Sequence, residues 1–160
     1  MKRHKLKFNF THLDNVLIID GKYLVYRNQY SKNISMLSHG GIKTGLYYGF
    51  FNTIRSLVKK FQPLNLVIMW DGVGSVRRDE YPGYKNRNNL QYLKPEQIQI
   101  LNDIADEYPN LVATCEALGF AGHCLDGYEA DDLIALFAKR FTDINKIIIT
   151  RDEDMYQCID

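Results

Sequence analysis

The sequence has little cysteine, no long apolar run and almost no net charge. Only three of its 160 residues are cysteines, and Cys115, Cys124 and Cys158 show no C-x-x-C spacing. This usage favours a reduced compartment and predicts a cytoplasmic protein. The longest apolar runs, such as Val16–Ile19 and Leu66–Trp70, are far shorter than the ~20 residues that cross a bilayer. No membrane partner is therefore expected.

The formal net charge of +1 excludes a uniformly basic nucleic-acid binder. It still allows a basic patch opposite an acidic one. With 24% charged and 46% hydrophobic residues, the composition is typical of a globular chain rather than a disordered one. We expect residues 1–160 to form one domain. His123-Cys124 has no matching second pair, so a zinc site is not favoured.

Short apolar runs alternate with helical patterns along the chain. Four strands are predicted, of which the last named is the weakest: Val16–Asp20, Leu66–Trp70, Lys146–Thr150 and Phe120–Cys124. Helices are predicted at about 41–61, from Pro95 to a break at Pro109, over Leu111–Leu118 with Gly119 as its stop, and over Ala130–Phe141. Strands separated by helices predict an α/β fold, in which a mostly parallel sheet carries helices on both faces.

Residues 72–94 interrupt this alternation and are called the insertion below. They contain glycines, a proline and three tyrosines, and five lysines or arginines against two acids. A connection of this length between a strand and a helix is usually functional or mobile.

Seven acids fall at the carboxyl edge of the predicted sheet. They come from four regions of the chain: Asp20, Asp71, Glu129, Asp131, Asp132, Asp152 and Asp154. Open α/β sheets bind ligands at this edge. Clustered carboxylates repel one another unless a cation neutralises them, and oxygen-only ligand sets suit Mg²⁺ or Mn²⁺. Two such ions ~3.5–4 Å apart activate water and stabilise the leaving oxygen in phosphodiester cleavage.

Six of the seven acids also have a structural interpretation. Glu129, Asp131 and Asp132 stand where a helix begins, and acids there are commonly caps or complements of the helix dipole. Asp20 and Asp71 each precede a glycine and are typical of turns, and Asp152 would suit the cap of a final helix. Both interpretations stay open for each residue taken alone. The convergence of all seven acids favours the metal site.

Four motifs occur in one order between about residues 16 and 157: LIIDG, MWDG…VRRDEYPGYKNR, GYEADD and ITRDEDMYQ. This series resembles the flap endonuclease and 5′→3′ exonuclease family, including the N-terminal nuclease domain of bacterial repair DNA polymerases and the stand-alone phage enzymes. The resemblance implies a PIN-like α/β fold and divalent-metal-dependent hydrolysis of phosphodiester bonds at DNA 5′ ends, flaps and single strands. RNA in RNA–DNA hybrids is a further implied substrate.

By motif, the resemblance assigns metal binding to all seven acids and a catalytic role to Asp71 and Asp131 among them. The insertion becomes an arch or clamp over the active site, where Arg77 is a further catalytic candidate. Lys85 matches a family lysine that neutralises the scissile phosphate. The implied nucleic-acid contacts, cations to phosphates and tyrosines to bases, are Arg27, Arg77, Arg78, Tyr81, Tyr84, Lys85 and Arg87.

Alternatives remain at the level of both residues and function. The insertion would otherwise be a solvated loop, and Arg27 a surface cation. Family members continue with a further strand, more metal-binding aspartates and a helix–turn–helix element. The chain is therefore expected to be an N-terminal piece or a short protein in which the second metal site rests on Asp152 and Asp154. It would then act as a nucleic-acid-binding module or require a separate C-terminal half. A PIN-type ribonuclease is a third alternative, which the long basic insertion argues against.

Overall fold

The fold is a four-stranded parallel sheet with helices on both of its faces. The computed structural model describes residues 15–29, 36–81, 83–84 and 93–158. In chain order the elements are β1 (Asn15–Asp20), α1 (Gly21–Gln29), β2 (Ser38–His39), β3 (Ile42–Lys43), α2 (Gly45–Phe61), β4 (Asn65–Met69), α3 (Val76–Glu80), α4 (Pro95–Ala117), β5 (Ala121–His123), α5 (Ala130–Arg140), β6 (Asn145–Ile149) and a 3₁₀ helix (Glu153–Cys158).

The strand order is β5-β4-β1-β6, and every neighbouring pair is parallel. From β1 the chain moves outward to β4 and β5, and then returns to the other side of β1 to form β6. The boundary between β1 and β6 is therefore a topological switch point, where open α/β sheets bind ligands. The predicted fold class is confirmed, and all four predicted strands are present.

The central strand β1 supplies both hydrophobic cores. Leu17 and Ile19 face one core, together with α1, α2 and α4. Val16 and Ile18 face the other core, which α5 covers. All four side chains have no exposed surface. Burial on both faces is why β1 is a continuous apolar run rather than an alternating one.

The first predicted helix begins later than its pattern indicated. It starts at Gly45 rather than at about residue 41, because residues 38–43 form a small hairpin. Gly40 and Gly41 occupy its turn with φ values of 58° and 79°. A two-residue hairpin turn with positive φ at both positions favours glycine. The glycine pair therefore forms the turn between β2 and β3, and α2 begins only after β3.

The break predicted at Pro109 is wrong, because α4 runs through this residue as one helix of 23 residues. An interior proline costs a helix about 3 kcal/mol. Here Ile104, Leu111 and Cys115 lie on both sides of it and are buried in the same core. Packing therefore overrides the local preference. Neither α4 nor any other helix in the described part of the chain is long and apolar enough to span a membrane.

The single tryptophan lies directly after β4 and determines how closely its neighbours pack. The Trp70 ring stacks on Phe50 at a centroid distance of 5.8 Å and meets the Tyr108 ring edge-on at 5.6 Å. A Cβ atom at Gly21 would lie 2.3 Å from the indole, and one at Gly122 would lie 3.0 Å from its Nε1 atom. Glycine at these two positions lets the start of α1 and the edge strand β5 close onto the ring.

Candidate functional site

A cleft of about 240 Å³ opens at the carboxyl edge of the sheet. Its lining residues come from β1, α1, the end of β4, the start of α5 and the segment after β6: Asp20, Lys22, Tyr23, Tyr26, Asp71, Glu129, Ala130, Asp131 and Asp152. Five of the seven predicted acids are among them. The parallel topology thus brings together residues that are far apart in the sequence.

Asp20 joins three elements at the switch point. Its Oδ1 atom accepts a hydrogen bond from the Tyr23 N–H at 2.9 Å, and its Oδ2 atom accepts one from the Thr150 hydroxyl at 3.0 Å. Burial raises the pKa of Asp20, and the charges of Asp71 and Asp131 raise it further, while the two hydrogen bonds oppose this shift. The carboxyl group therefore carries a like-charge cost that a bound cation would relieve.

Asp71 connects the end of β4 to α5 and to α1. Its Oδ1 atom accepts a hydrogen bond from the Ala130 N–H at 3.0 Å, and its Oδ2 atom accepts one from Lys22 Nζ. Burial lowers the pKa of Lys22, but the hydrogen bond and charge of Asp71 more than offset this, so the net pKa is raised. Lys22 therefore stays charged inside an acidic cleft.

The three acids at the start of α5 combine capping with clustering. Asp132 Oδ2 accepts a hydrogen bond from the Glu129 N–H at 3.1 Å, and Asp131 Oδ1 accepts one from the Asp132 N–H at 2.8 Å. The helix dipole favours negative charge at this end. The capping interpretation and the clustering of the acids are therefore compatible, because the same carboxylates cap α5 and lie at the cleft or its rim.

Arg77 of α3 lies against these three acids. Its guanidinium hydrogen-bonds Asp132, and Nη1 lies 3.7 Å from both Glu129 Oε2 and Asp131 Oδ2. Nη1 also donates to the Tyr84 hydroxyl at 2.6 Å, and that hydroxyl donates to Glu129 Oε2 at 3.3 Å. The hydrogen bond with Tyr84 and the charges of Asp131 and Glu129 raise the pKa of Arg77 against an opposing effect of burial. Arg77 and Tyr84 thus tie the insertion to α5.

The start of the insertion is held separately, by backbone hydrogen bonds to the loop before α5. The Val76 N–H donates to the Gly127 carbonyl at 2.9 Å, and the Gly127 N–H donates to the Val73 carbonyl at 2.8 Å. Gly127 has a φ of 86°, and a Cβ atom there would lie 2.8 Å from Val76 Cγ2. No residue of α3 is buried, and Arg77 supplies its side-chain contact with the start of α5.

Asp152 and Asp154 lie at the same edge but are held locally. Asp152 Oδ1 accepts a hydrogen bond from the Asp154 N–H at 2.9 Å, which matches the predicted capping role at the 3₁₀ helix. Both residues are exposed. Asp152 lines the cleft, whereas Asp154 is not among its lining residues.

The predicted nucleic-acid contacts are dispersed. Arg27 is exposed in the last turn of α1, and Arg78 and Tyr81 are exposed in and after α3. Lys85 and Arg87 lie outside the described residues. The roles assigned to these five residues stay predictions.

Two contributors to the site were missed from the sequence, Lys22 and Thr150. Lys22 is 49 residues from its partner Asp71, and Thr150 is 130 residues from Asp20. A usable signal existed for both. Lys22 falls in the first turn after β1 and Thr150 directly follows β6, so the parallel topology places both at the acidic edge.

The donor chemistry of the cleft fits a hard divalent cation. The acids that line it offer only carboxylate oxygens, which Mg²⁺ and Mn²⁺ prefer. Within the described ranges, however, no three histidine, cysteine, aspartate or glutamate side chains are arranged as a metal site. Lys22 and Arg77 instead contact the carboxylates. Metal coordination by the predicted acids therefore requires side-chain rearrangement and stays a prediction.

The sequence is similar to those of known exonucleases and DNA polymerases. Residues 15–160 match the profile of the family described as 5′-3′ exonuclease, N-terminal resolvase-like domain. A 5′-3′ exonuclease of Mycoplasmopsis pulmonis is 33% identical over 149 residues, covering 92% of this chain and 46% of the relative. DNA polymerase I of Borreliella burgdorferi is 31% identical over 152 residues, covering 91% of this chain and 15% of the relative. The chain thus spans about half the length of the stand-alone exonuclease.

Solved structures of a phage enzyme share the fold. The T5 5′-exonuclease with bound zinc has a TM-score of 0.70 at 23% identity, covering 91% of this chain and 52% of that one. The bacteriophage T5 flap endonuclease in a pseudo-enzyme–product complex with DNA and metal ions has a TM-score of 0.68 at 23% identity, covering 87% and 49%. At this identity the likeness supports the fold alone.

Proposed function

Because the chain belongs to the 5′-3′ exonuclease N-terminal resolvase-like domain family, we propose that it provides the catalytic site of a divalent-metal-dependent 5′ nuclease. The observation that carries the proposal is the convergence of Asp20, Asp71, Glu129 and Asp131 on one cleft at the switch point of the sheet. Capping alone does not require acids from β1, β4 and α5 to share a cleft.

The acids are proposed to hold two Mg²⁺ or Mn²⁺ ions. Bound ions would supply an activated water and stabilise the leaving oxygen of the phosphodiester. Asp20, Asp71, Glu129, Asp131 and Asp132 would hold an ion directly or through water, and Asp152 and Asp154 would serve the second ion. The zinc and metal ions bound by the T5 enzymes support the proposal.

The proposed substrates are DNA 5′ ends, flaps and single strands, with RNA in RNA–DNA hybrids as a further substrate. The insertion is proposed to form an arch or clamp over the cleft, in which Arg77, Lys85 and Arg87 contact phosphates and Tyr81 and Tyr84 stack on bases. Attachment of Arg77 and Tyr84 at the rim of the cleft supports this placement. A separate C-terminal nuclease half is a further proposed partner, and the DNA polymerase I relatives are consistent with one.

We propose that the protein acts in the cytoplasm. Cys115, Cys124 and Cys158 are all free thiols, which a reducing compartment maintains.

The test is cleavage of a 5′-flap DNA with Mg²⁺, in parallel with single-stranded DNA, an RNA–DNA hybrid and single-stranded RNA. We expect a flap product that chelator removes and that Asp131→Asn abolishes. Asp143→Asn, which changes an exposed acid in the loop after α5, is the matched control and should cleave normally. Equal activity of Asp131→Asn, or activity in chelator, would refute the site.

The same assay separates the alternatives. Salt-sensitive DNA binding without a metal-dependent product favours the binding module, and cleavage restored by a separate C-terminal half favours a split enzyme. Preference for single-stranded RNA favours the ribonuclease.

A further inference from the structure

Two protein cations contact the carboxylates that are proposed to bind metal. Lys22 Nζ hydrogen-bonds Asp71 Oδ2, and the Arg77 guanidinium hydrogen-bonds Asp132 while lying 3.7 Å from Glu129 and Asp131. Both carboxyl groups of these hydrogen bonds are only about one-fifth exposed, at 20% for Asp71 and 23% for Asp132. A carboxylate oxygen bound to a cationic side chain in this way is not available as a metal ligand.

These contacts neutralise charge where the fold concentrates it. Close carboxylates repel one another, and a compensating cation lowers that cost. Lys22 and Arg77 belong to different helices, α1 and α3 respectively. A divalent ion would supply the same compensation with more charge and more bonds to oxygen. The side chains and the ion therefore compete for the same oxygens.

The contacts of Arg77 also determine how firmly the following residues of the insertion are held. Residues before Arg77 are held by the backbone hydrogen bonds between Val76, Val73 and Gly127, and the Val73 N–H also donates to Asp126 Oδ1, a carboxylate that does not line the cleft. Residues after it have no buried side chain in α3, and Tyr84 joins the body through Arg77 and Glu129. A helix of five residues is not stable without tertiary contacts. Loss of the Arg77 contacts should therefore loosen residues 77–84 and leave residues 73–76 in place.

Resting on the metal dependence proposed above, we propose that Lys22 and Arg77 are the resident counter-ions of the acidic cleft, and that divalent metal ions displace both of them. Metal loading then releases residues 77–81 and Tyr84 from α5 before any nucleic acid binds. The released arginine becomes available for phosphate at the time when the cleft is loaded.

The first test measures Mn²⁺ binding directly, by electron paramagnetic resonance of free Mn²⁺ and by calorimetry, without nucleic acid. Lys22→Gln removes one competitor, and we expect the dissociation constant to fall about threefold to tenfold, as for loss of a half-exposed ion pair. Lys22→Arg keeps the positive charge and should bind Mn²⁺ much as the wild type does.

Lys43→Gln is the matched control. Lys43 pairs with Asp103 at 2.8 Å, and the exposures of the two side chains are 59% and 20%, against 49% and 20% for Lys22 and Asp71. The substitution makes the same change in net charge away from the cleft, so the dissociation constant should not change. An equal gain in Lys43→Gln would show a general charge effect and overturn the proposal.

The second test is hydrogen–deuterium exchange with and without Mg²⁺. The N–H groups of Arg78, Asp79 and Tyr81, which donate to Ser75 and Arg77 carbonyls, should exchange faster when Mg²⁺ is present. The N–H groups of Val76 and Gly127 are the internal reference and should not change. Unchanged or slower exchange at Arg78–Tyr81 on metal loading overturns the release.

The outcomes separate this inference from the proposed function. If the wild type binds Mn²⁺ and Lys22→Gln binds it equally, the counter-ion role fails while metal dependence stands. If neither the wild type nor Lys22→Gln binds Mn²⁺, both proposals fail. If Lys22→Gln binds Mn²⁺ and the wild type does not, the counter-ion role is supported, because Lys22 then prevents metal binding in the wild type.

Discussion

The seven acids of the edge divide into two groups that the fold treats differently. The inner acids are Asp20, Asp71, Glu129, Asp131 and Asp132, and the outer acids are Asp152 and Asp154. The inner acids are half-buried and are held by partners from distant elements. The outer acids are exposed, and the Asp152 carboxylate is held by the N–H of Asp154, two residues along the chain.

The inner acids are positioned by the topology of the sheet, whereas the outer acids are positioned by a local turn of the chain. The positions of the inner acids depend on the pairing of β1 with β4 and β6, so they are fixed wherever the sheet is fixed. The positions of the outer acids depend on a six-residue 3₁₀ helix in which no residue is buried. We therefore expect activity to depend more strongly on the inner acids, as the following predictions test.

The largest expected effect is on cleavage. Asp71→Asn keeps an oxygen that accepts the Ala130 N–H but removes a charge from the cleft, so the rate of flap cleavage should fall at least about 100-fold. Asp154→Asn removes one exposed charge outside the cleft lining, and its loss should be below about tenfold. Single-turnover kinetics with Mg²⁺ measure both rates. Similar losses in the two variants would contradict the division.

The second prediction concerns how firmly each group is supported. Ile134 of α5 has no exposed surface, so Ile134→Ala should lower the free energy of unfolding by about 2–5 kcal/mol. Met155 of the 3₁₀ helix is only partly buried against the same core, so Met155→Ala should cost about 1 kcal/mol. Urea denaturation measures both. An equal or larger cost for Met155→Ala would show that the outer acids have firm support too.

The smallest expected effect is on the pH dependence of stability. Because burial raises the pKa of Asp20 above its usual 3.8, the folded protein binds this proton more tightly than the unfolded chain does. The free energy of unfolding should therefore fall as the pH rises from 3.8 through the raised pKa.

Asp20→Asn should remove this loss, which makes the variant more stable than the wild type at pH 7 and closer to it at pH 3. Urea denaturation across this range measures the change in metal-free buffer. Asp154→Asn is the control from the outer acids, and as an exposed substitution it should change stability by less than about 0.5 kcal/mol. A destabilised Asp20→Asn variant at pH 7 would contradict the expected sign.

The fold could be predicted from the sequence because each strand is recognisable from a short apolar run of neighbouring residues. A run such as Val16–Ile19 is apolar without alternation, and only a strand covered on both faces explains it at that length. Pro109 shows the limit of local rules, because the packing that tolerates it involves distant residues. The glycine pair Gly40-Gly41 is a signal from which the hairpin could have been predicted. The helical periodicity of the residues that follow led instead to a helix starting at about residue 41.

The acids of the cleft and Arg77 were candidates from the sequence, whereas Lys22 and the pairing of both cations with carboxylates were missed. Carboxylates at strand ends can be placed from topology alone, because all parallel strands end at the same edge. The pairing of Lys22 with Asp71 depends instead on how closely α1 approaches the end of β4, which is a matter of packing. The position of Arg77 depends on the path of the insertion, for which periodicity gives no rule.

That close approach comes from the indole of Trp70, which fills a slot between Gly21 and Gly122. Enlarging Gly21 would force α1 and the ring apart, because the added Cβ atom would lie 2.3 Å from the indole, and enlarging Gly122 is less severe because its Cβ atom would lie 3.0 Å from Nε1. Two positions without any side-chain chemistry thereby control the distance between a lysine and an aspartate. In a variant library, we therefore expect substitutions at Gly21 to impair the protein more than substitutions at Gly122.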